Sequence, residues 1–393
     1  MGNALNLETP AFLVKERVLR ENVDGFRRAI QEQWGSKHLI SYSVKTNALP
    51  WILEWMNAND VAAEVVSDDE YELALLCGYK HENIVFNGPI KGEETLITAV
   101  RQGALVNIDS ERDLDAVTNE RIGTGENIGI RVNVDPRVFD ADDVGYQDDG
   151  FRFGFSIGNG SLRRAIEKLE SVYGHRRFGL HVHVNSITRS VRVYRALAEF
   201  TAEAIRGLGL SPSFIDVGGG FFGGVPDKPL PVDYLSAIVA GFGNSVNQDA
   251  AMLVIEPGSA FIGSAVDLYT TVIDVKDTDF ARIVTTDGSR TYIDPLWKKT
   301  SYLYETTADA PSFPHQVICG YTCMDHDRLM SIDNSPELYP NDKVVYMRVG
   351  NYSITFGGSF IRSAPAVYCA TDDGLRLIRS RKTMKDYYGE QSA

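Results

Sequence analysis

Eight short runs rich in β-branched residues recur along the first part of this chain, and helical stretches lie between them. Strands that alternate with helices run parallel to one another, because each helix carries the chain back to the starting edge of the sheet. Eight such units can close into a (β/α)8 barrel of the TIM type, and a doubly wound open sheet is the alternative. The expected strands are His38–Lys45, Val61–Val66, Asn83–Asn87, Ala104–Asp109, Asn127–Asn133, Phe178–Val184, Ser213–Gly218 and Ala251–Glu256.

Two of the intervening stretches carry the signals of helix ends. Ser67 followed by Asp68-Asp69-Glu70 is typical of a helix N-terminus, and it predicts a helix that runs through Leu76 and ends at Gly78. The stretch Thr188–Gly207 has a long apolar periodicity that stops at glycines, which predicts a second helix. Both helices fit between expected strands, as a barrel requires.

From about Ser264 onward, strand-like runs follow one another without helices, which predicts a separate antiparallel β-domain. The segment Thr9–Val14 is also strand-like and precedes the first barrel helix, so we expect it to pack with that domain. The expected domains are residues 1–30 (N-terminal strand and lead-in), 31–263 (barrel) and 264–393 (β-domain). The expected strands of the β-domain are Ala265–Asp274, Arg282–Thr286, His315–Cys319, Lys343–Val349 and Leu375–Arg379.

The charge and the cysteine content narrow the class of function. A net charge of −14 repels phosphate backbones and anionic lipids, so we expect neither nucleic acid nor membrane as a partner. No apolar run approaches the length of a membrane span. The 4 cysteines and the lack of a signal-peptide pattern predict free thiols in a reducing cytoplasm. These properties favour chemistry on a small molecule.

The first expected strand ends in a lysine. Lys45 follows the apolar stretch Ile40–Val44, and a lysine held among apolar groups is pushed toward the neutral amine that condenses with an aldehyde. Lys45 is therefore a candidate Schiff-base lysine. A solvated surface lysine is the alternative, and the residues at the other strand ends must decide between the two.

Further polar groups follow other expected strands, at the edge of a parallel barrel where reactive side chains gather. Gly218–Gly220 leaves backbone N–H groups free to face a phosphate, although a flexible turn also explains three glycines. Glu256 closes an apolar run, and its partner is either a protonated ring nitrogen or the cation of a structural ion pair. His181 and His183 lie on one side of a strand, but no third ligand has suitable spacing, so we expect no metal site.

The motifs of this chain, taken in order, resemble those of the fold type III pyridoxal-phosphate decarboxylases, the relatives of diaminopimelate, ornithine and arginine decarboxylase. Each motif is weak alone, whereas their common order is specific and extends over almost the whole chain. The family fold, a barrel plus a β-domain, agrees with the expected strands and helices. The motifs are Tyr42–Asn47, Glu64–Ser67, Arg152–Gly154, His183 with Ser186, Gly218–Gly220, Glu256–Gly258, Gly320–Cys323 with Asp327, and Gly350–Tyr352.

The resemblance implies a role for each matching residue. Lys45 binds pyridoxal 5'-phosphate as a Schiff base, His183 stacks on the ring, and Glu256 keeps the ring nitrogen protonated. Cys323 comes from the partner chain of a homodimer with shared active sites and protonates the carbon that loses CO2. Two supporting groups around the lysine and the cofactor are Glu64 and Arg131. The groups implied to hold the phosphate are Ser186, Gly218, Gly219, Gly220 and Tyr352.

Three positions depart from the family pattern. Ser259 follows Glu256–Gly258 where the family usually has an arginine that neutralises the cofactor phosphate, which puts cofactor affinity in question. Asn185 replaces the usual glycine between His183 and Ser186. Met324 stands where an acidic residue usually binds the distal amine of lysine-like substrates, and a thioether cannot pair with an ammonium ion.

The far end of the substrate is expected to differ as well. Diaminopimelate enzymes carry an arginine before a proline, after an Asp-Gly turn, and here Asp294-Pro295 stands in that place. Because an aspartate repels a carboxylate, we expect a substrate other than meso-diaminopimelate. The residues expected to contact its far end are Asp294, Met324, Asp325 and Asp327.

The expected activity is decarboxylation of the α-carboxylate of an amino acid, or of a metabolite that contains one, in siderophore, polyamine or other specialised biosynthesis. An amino-acid racemase on the same barrel is one alternative, and Cys323 in its decarboxylase-like setting argues against it. A non-catalytic, decarboxylase-like regulatory protein is the other alternative. The chain keeps Lys45, Glu256 and Tyr352, which argues against the loss of catalysis.

Overall fold

The computed structural model describes residues 7–357 and 359–391. The chain divides into two compact units, of which one, the barrel unit, comprises Asn22–Ala260. The other, the β unit, joins the residues up to Glu21 to those from Phe261 onward. The divisions fall after residues 21 and 260, where the sequence suggested 30 and 263. The chain starts with β1 (Ala11–Lys15), a strand of the β unit, which leads directly into α1 (Glu16–Gln33).

Eight parallel strands close into a barrel, which confirms the expected fold and rejects the open sheet. Closure is complete because β5 pairs with β6 while β2 pairs with β10. A short ninth strand, β7, extends the sheet beside the end of β6. The strands are β2 (His38–Ser43), β3 (Ala62–Val65), β4 (Ile84–Phe86), β5 (Leu105–Ile108), β6 (Ile128–Asn133), β7 (Phe155–Ser156), β8 (Gly179–His181), β9 (Phe214–Asp216) and β10 (Met252–Ile255).

Helices connect these strands. At the start of one of them, the Ser67 hydroxyl accepts the N–H of Glu70, and the Glu70 carboxylate accepts the N–H of Val66, so the predicted helix N-terminus is confirmed. The helix predicted from Thr188 begins later, at Val191, and ends before Gly209, whose φ is 62°. The helices are α2 (Pro50–Ala58), α3 (Asp68–Leu76), α4 (Glu93–Arg101), α5 (Glu111–Glu120), α6 (Ser161–Tyr173), α7 (Val191–Leu208), α8 (Pro231–Phe242) and α9 (Ser259–Ile262).

Strand periodicity divides the barrel interior into an apolar layer and a polar layer. The apolar layer contains Val85, Leu105, Phe214 and Val254, from four different strands. Phe214 fills the width of the barrel there, since a Cβ on the facing glycines of β6 and β8 would clash with its ring. Side chains two positions further along the same strands face the same way and are polar. The polar layer therefore lies at the carboxyl ends of the strands.

The β unit is a nine-stranded, mostly antiparallel sheet in which β1 lies between β11 and β17. Two pairs, β1 with β17 and β12 with β14, are parallel. Among the described residues no helix is both long and apolar enough to cross a membrane. The remaining elements are β11 (Val266–Asp277), β12 (Arg282–Thr286), α10 (Arg290–Ile293), β13 (Leu303–Thr306), β14 (Ser312–Cys319), β15 (Arg328–Pro336), β16 (Lys343–Met347), β17 (Ala366–Thr371), β18 (Gly374–Arg379) and α11 (Met384–Gln391).

Candidate active site

The polar layer of the barrel is a connected set of side chains from different strands. Each member lies two positions beyond a residue of the apolar layer or near a strand end, so strand geometry brings together residues far apart in sequence. Asn107 on β5 illustrates this, because its amide reaches across the barrel to Asp216 on β9 at 2.9 Å. The members are Ser43, Glu64, Asn87, Asn107, Arg131, His181, Asp216 and Glu256.

Lys45 lies on a 3-10 turn, Val44–Thr46, directly after β2. Its Nζ is 2.7 Å from Glu64 Oε2 and 2.8 Å from Ser43 Oγ. The expectation of apolar surroundings is wrong, because the turn carries the lysine out of the strand and over a carboxylate. Its side chain is 43% exposed, so the amine remains accessible to a ligand.

Glu64 is a buried carboxylate with three kinds of hydrogen-bond donor. Besides Lys45, it accepts the Ser43 hydroxyl at 2.5 Å and the Asn87 amide at 3.1 Å. Burial by itself raises the pKa of Glu64, but the charge of Lys45 and these hydrogen bonds outweigh burial and hold the pKa below its usual value. Glu64 is therefore ionised and paired.

Glu256 is equally buried but has a carboxyl group as its neighbour. Its Oε1 accepts the Asn87 amide at 2.6 Å, and its carboxyl shares a hydrogen bond with Asp216. Burial raises the pKa of Glu256 well above its usual value, and the charges of Asp216 and Glu64 raise it further. Burial also raises the pKa of Asp216, to about 6, against the hydrogen bonds from Glu256 and the Gly218 N–H that lower it. The pair therefore holds a proton, which is carried by Glu256.

His183 and His181 present parallel rings to the site, with centroids 6.5 Å apart and an interplanar angle of 18°. Burial and the charges of Arg131 and Lys45 lower the pKa of His183 to about 3, so its imidazole is neutral. His181 Nε2 lies 4.0 Å from Glu256 Oε2, and His181, Asp216 and Glu256 have the spacing of metal ligands. Asp216 and Glu256 share a proton, so no metal ion is needed to balance their charges. The absence of a metal therefore remains our prediction.

The Gly218–Gly220 turn tolerates no side chains. A Cβ at Gly218 would clash with the His183 ring, and one at Gly219 would clash with the backbone carbonyl of Glu256. Gly218 and Gly220 also have φ values of 67° and 89°, which glycine adopts without strain. The turn therefore keeps its backbone open beside His183 and Glu256.

Ser186 lies in the loop between β8 and α7. Its hydroxyl donates to the Asp143 carbonyl at 3.2 Å and accepts the Arg189 N–H at 2.8 Å. Asp143 is itself buried and bonded to Thr188 and Arg192. These contacts hold the loop that precedes α7 in one conformation.

Arg131 completes the barrel part of the site from β6. Its guanidinium donates to the His183 carbonyl at 3.2 Å and lies 5.0 Å from the centre of the Phe153 ring. Burial lowers the pKa of Arg131, while the charges of Asp109, Glu256 and other carboxylates act in the opposite direction. Arg131 thus brings a buried positive charge close to the shared proton of Glu256.

The other predicted site residues belong to the β unit. Cys323 and Asp325 are exposed, Met324 is half-buried, and Tyr352 is exposed with a φ of 50°. Asp327 is buried and accepts hydrogen bonds from Ser289, Thr322 and the backbone N–H of Arg290. Its contacts anchor the Cys323 turn to the start of α10.

Asp294 is also occupied by contacts inside the β unit. It is 5% exposed and pairs with Arg290 at 2.9 Å. Its carboxylate also accepts the backbone N–H groups of Lys298 and Lys299. These contacts favour a structural role for Asp294, as those of Asp327 do, and they leave Met324 and Asp325 as the more accessible positions.

Comparison with known proteins identifies the family. The model of the pyridoxal-dependent decarboxylases, pyridoxal binding domain, matches residues 19–263. The chain belongs to this family. It is 27% identical to diaminopimelate decarboxylase of Zymomonas mobilis, over 96% of this chain and 91% of that protein. It is 24% identical to the enzyme of Archaeoglobus fulgidus, over 98% and 93% respectively.

Solved structures of other decarboxylases have the same fold. Diaminopimelate decarboxylase from M. jannaschi superposes with a TM-score of 0.83 at 22% identity, covering 98% of this chain and 93% of that one. Arginine decarboxylase of Paramecium bursaria Chlorella virus superposes with a TM-score of 0.76 at 21% identity, covering 93% and 97% respectively. The chain is thus a pyridoxal-phosphate-dependent carboxy-lyase with the barrel and β-domain of this family.

The site of this decarboxylase fits pyridoxal phosphate. The Gly218–Gly220 turn packs closely against His183 and Glu256 and carries no side chain, so its backbone can approach a phosphate. An accessible amine, that of Lys45, can bind the aldehyde, and a carboxyl that holds a proton, that of Glu256, suits a ring nitrogen. The neutral His183 ring suits a stacked aromatic cation better than an imidazolium does.

Four residues of the decarboxylase site were missed from the sequence: Ser43, Asn87, Asn107 and Asp216. Their signal is the strand period, since Asn87 follows Val85 and Asn107 follows Leu105 on the inward face. Polar residues at inward positions near a strand end need partners in the barrel interior. Applied to every strand, this test finds all four.

Proposed function

We propose that this protein releases CO2 from the α-carboxylate of an amino acid that is bound through its α-amino group to pyridoxal phosphate. The observation that carries the proposal is the contrast between an accessible, ion-paired lysine and a proton-holding carboxyl in one polar layer. The first can bind an aldehyde and the second can protonate a ring nitrogen. The family match to the pyridoxal-binding domain supports this assignment.

Each residue of the barrel site has a separate proposed role. When bound, pyridoxal phosphate accepts the electron pair that decarboxylation leaves at Cα. Lys45 Nζ would hold the cofactor through its aldehyde carbon, and Glu64 positions this nitrogen through a hydrogen bond of 2.7 Å. Glu256 holds a proton on its carboxyl for the ring nitrogen, with Asp216 as the acceptor when the nitrogen is absent. His183 would contact the cofactor ring with a neutral imidazole.

The phosphate and the surrounding charge are assigned to other residues. Ser186, the Gly218–Gly220 turn and Tyr352 are proposed to hold the phosphate through hydroxyl groups and the backbone N–H groups of Gly219 and Gly220, since the Gly218 N–H donates to Asp216. Arg131 is proposed to favour ionisation of Glu256 once the ring nitrogen takes the proton, since its positive charge lies close to that carboxyl.

Cys323 is proposed to donate the proton that replaces CO2 at Cα. Its thiol is exposed within the β unit, and Asp327 anchors its turn through Thr322. We also propose a cytoplasmic homodimer with shared active sites. In this dimer Cys323 contributes its thiol to the active site in the barrel of the partner subunit. The exposed thiol is compatible with that arrangement.

The substrate we propose to test first is meso-diaminopimelate. The exclusion of meso-diaminopimelate that the sequence suggested is not supported, because relatives at 24% and 27% identity are diaminopimelate decarboxylases. It assumed a free charge on Asp294, but Arg290 neutralises that carboxylate. A carboxylate at the far end of the substrate therefore meets no unpaired negative charge at this residue.

A second candidate is a substrate without a distal amine, as in specialised biosynthesis. Met324 favours it, because this half-buried thioether beside Cys323 can pack against an apolar group and cannot bind an ammonium ion. The variant Met324→Glu separates the candidates. It should improve turnover of an amine-bearing substrate and impair turnover of one with an apolar end.

The experiment is an assay of CO2 release by the purified protein with added pyridoxal phosphate. The panel contains meso-diaminopimelate, lysine, ornithine and arginine, with Lys45→Ala as the control. We expect CO2 from at least one of these substrates and none from the variant. Loss of optical rotation without CO2 release would identify a racemase, and failure of every substrate would contradict the proposal for this substrate class.

A further inference from the structure

Among the described residues, two positively charged side chains on the ring of Phe222, just after the glycine turn, have no acidic partner. The guanidinium of Arg189 lies 5.3 Å from the centre of the Phe222 ring, and Lys228 Nζ lies 5.1 Å from the same ring. Within residues 7–357 and 359–391 neither forms an ion pair, whereas the nearby Arg192 pairs with both Asp140 and Asp143. The chain has a net charge of −14, so two cations on one aromatic ring without an acidic partner are unusual. Such a pair is suited to bind an anion.

The backbone of Arg189 is fixed to both sides of the proposed phosphate site. On one side its N–H donates to Ser186 Oγ at 2.8 Å. On the other side its carbonyl accepts the Tyr234 hydroxyl at 2.8 Å, and the same hydroxyl accepts the N–H of Phe222 at 3.4 Å. Arg189 therefore spans the gap between the serine and the segment that follows the glycines.

The residue before that ring belongs to a buried aromatic cluster. Phe222 directly follows Phe221, whose ring stacks on Tyr194 at 4.7 Å and lies 5.2 Å from Tyr234. The Tyr194 hydroxyl donates to the Gly219 carbonyl at 3.0 Å, which ties this cluster to the glycine turn. The cations and the turn thus belong to one packed unit.

Ser259, three residues after Glu256, cannot supply the positive charge that a phosphate needs. Ser259 begins α9, two residues after Pro257 and one after Gly258, whose Cβ would clash with the side chains of Thr46 and Ser43. Residue 259 is therefore close to the Lys45 turn, but its hydroxyl is neutral. A bound phosphate carries up to two negative charges and is held far better by a guanidinium than by a hydroxyl.

We propose that Arg189 is the residue that binds the cofactor phosphate electrostatically in this protein, with Lys228 as an auxiliary cation on the same ring. The inference rests on the assignment of the glycine turn and Ser186 as the phosphate site. Both side chains lie against the ring of Phe222, two residues after Gly220, and a guanidinium can form a charge-assisted contact with a phosphate. The serine at position 259 is thereby compensated.

The test compares two ligands that differ only in the phosphate. The dissociation constants of pyridoxal phosphate and of pyridoxal are measured by absorbance titration of the cofactor-free protein and of Arg189→Gln. We expect Arg189→Gln to weaken pyridoxal phosphate about 10- to 100-fold and to leave pyridoxal unchanged. Added salt should weaken pyridoxal phosphate binding to the unaltered protein more than to the variant.

The matched control is Arg195→Gln, which removes the same charge from α7. Arg195 pairs with Glu199 on the exposed face of that helix, so we expect no change for either ligand. A gain of function sharpens the test, because Ser259→Arg placed in Arg189→Gln should restore selective binding of pyridoxal phosphate. Melting curves of the cofactor-free variants check that each is folded.

Two results would overturn the proposal. Equal loss of both ligands in Arg189→Gln would assign this residue a structural role, and a phosphate-specific loss confined to Lys228→Gln would assign the charge to the lysine. Neither measurement depends on the amino-acid substrate. A failure of the proposed function appears separately, as tight binding of pyridoxal phosphate without CO2 release from any substrate.

Discussion

Glu64 and Glu256 are the two ends of a hydrogen-bonded bridge through the Asn87 amide in the polar layer, and they behave in opposite ways. Both are buried, and both accept a hydrogen bond from the Asn87 amide, at 3.1 Å and 2.6 Å respectively. The pKa of Glu64 lies below its usual value, whereas the pKa of Glu256 lies well above it. Burial raises the pKa of both carboxyls, so the difference comes from the neighbouring charged group. This neighbour is Lys45 for Glu64 and Asp216 for Glu256.

This difference divides the site by protonation. The end that holds Lys45 is ionic, and the end that holds Glu256 is a neutral acid with a proton available to a ring nitrogen. A pyridoxal-phosphate decarboxylase uses both properties, an amine for the aldehyde and a proton for the ring nitrogen. The difference also yields tests, because removal of the deciding partner should make one end behave like the other.

The largest effect is expected from Lys45→Ala. Without the lysine, turnover should fall by about 1,000-fold or more, and the visible absorbance of bound cofactor should be lost. Glu64 would then be buried without a cation, so its pKa should rise as that of Glu256 does. The measurements are turnover, the absorbance spectrum, and the free energy of unfolding of the cofactor-free protein across pH.

The sign of the pH effect follows from linkage. The lowered pKa of Glu64 stabilises the unaltered protein above the pKa of the unfolded state, and this stability disappears as the pH falls. Lys45→Ala should therefore cost roughly 1–3 kcal/mol near neutral pH and little in acid, a modest value because the ammonium is partly exposed. Lys168→Ala, which breaks the exposed pair with Asp115, serves as the control and should show almost no pH dependence. A pH-independent loss in Lys45→Ala would contradict the ionic description of Glu64.

The next effect is expected from Glu256→Gln. A glutamine amide can donate to Asp216 and its carbonyl can accept from Asn87, so it mimics the protonated carboxyl. The free energy of unfolding of the cofactor-free protein should therefore change by less than about 0.5 kcal/mol. Turnover should fall about 100-fold or more, because an amide cannot protonate a ring nitrogen.

The matched control for Glu256→Gln is the same substitution at Glu64. Glu64→Gln leaves Lys45 without its counter-charge and should destabilise the protein near neutral pH by roughly 1–2 kcal/mol. Denaturant unfolding of both variants checks the contrast. Equal destabilisation by the two substitutions would show that the carboxyls have the same protonation state, against the proposed division.

The sequence predicted the barrel well because its strands are buried and regular. All eight expected runs are strands, since parallel strands covered on both faces are rich in β-branched residues. The β unit was predicted less completely. Its strands β13 and β15 have many exposed or polar residues, so they lack a continuous apolar signal, and the parallel pairs within the sheet have no local signature.

The site was predicted in part for a related reason. Lys45 and Glu256 stand out because each ends an apolar run, but their protonation depends on residues from other strands. The apolar surroundings expected for Lys45 were wrong, because Glu64, which follows it by 19 positions, lies directly against it. Likewise, the ion pair of Arg290 with Asp294 removes the repulsion that was expected between Asp294 and a carboxylate substrate. Local sequence carries the residue type, whereas the charge state depends on tertiary contacts.

An effect on stability rather than on turnover is expected from Asn87→Asp, which tests the residue that is hydrogen-bonded to both carboxyls. A carboxyl in this position would lie between Glu64 and Glu256, and burial with like charges should raise its pKa. The folded state would then hold an additional proton, so stability should fall as the pH rises above the unfolded pKa of about 4. We expect a loss of roughly 2 kcal/mol near neutral pH and a smaller loss in acid, measured by denaturant unfolding of the cofactor-free protein. Asn127→Asp is the control, since the Asn127 amide donates to two backbone carbonyls instead of carboxylates and its replacement should give a weaker pH dependence. If Asn87→Asp costs the same at both pH values, the amide does not separate two carboxyls of different charge.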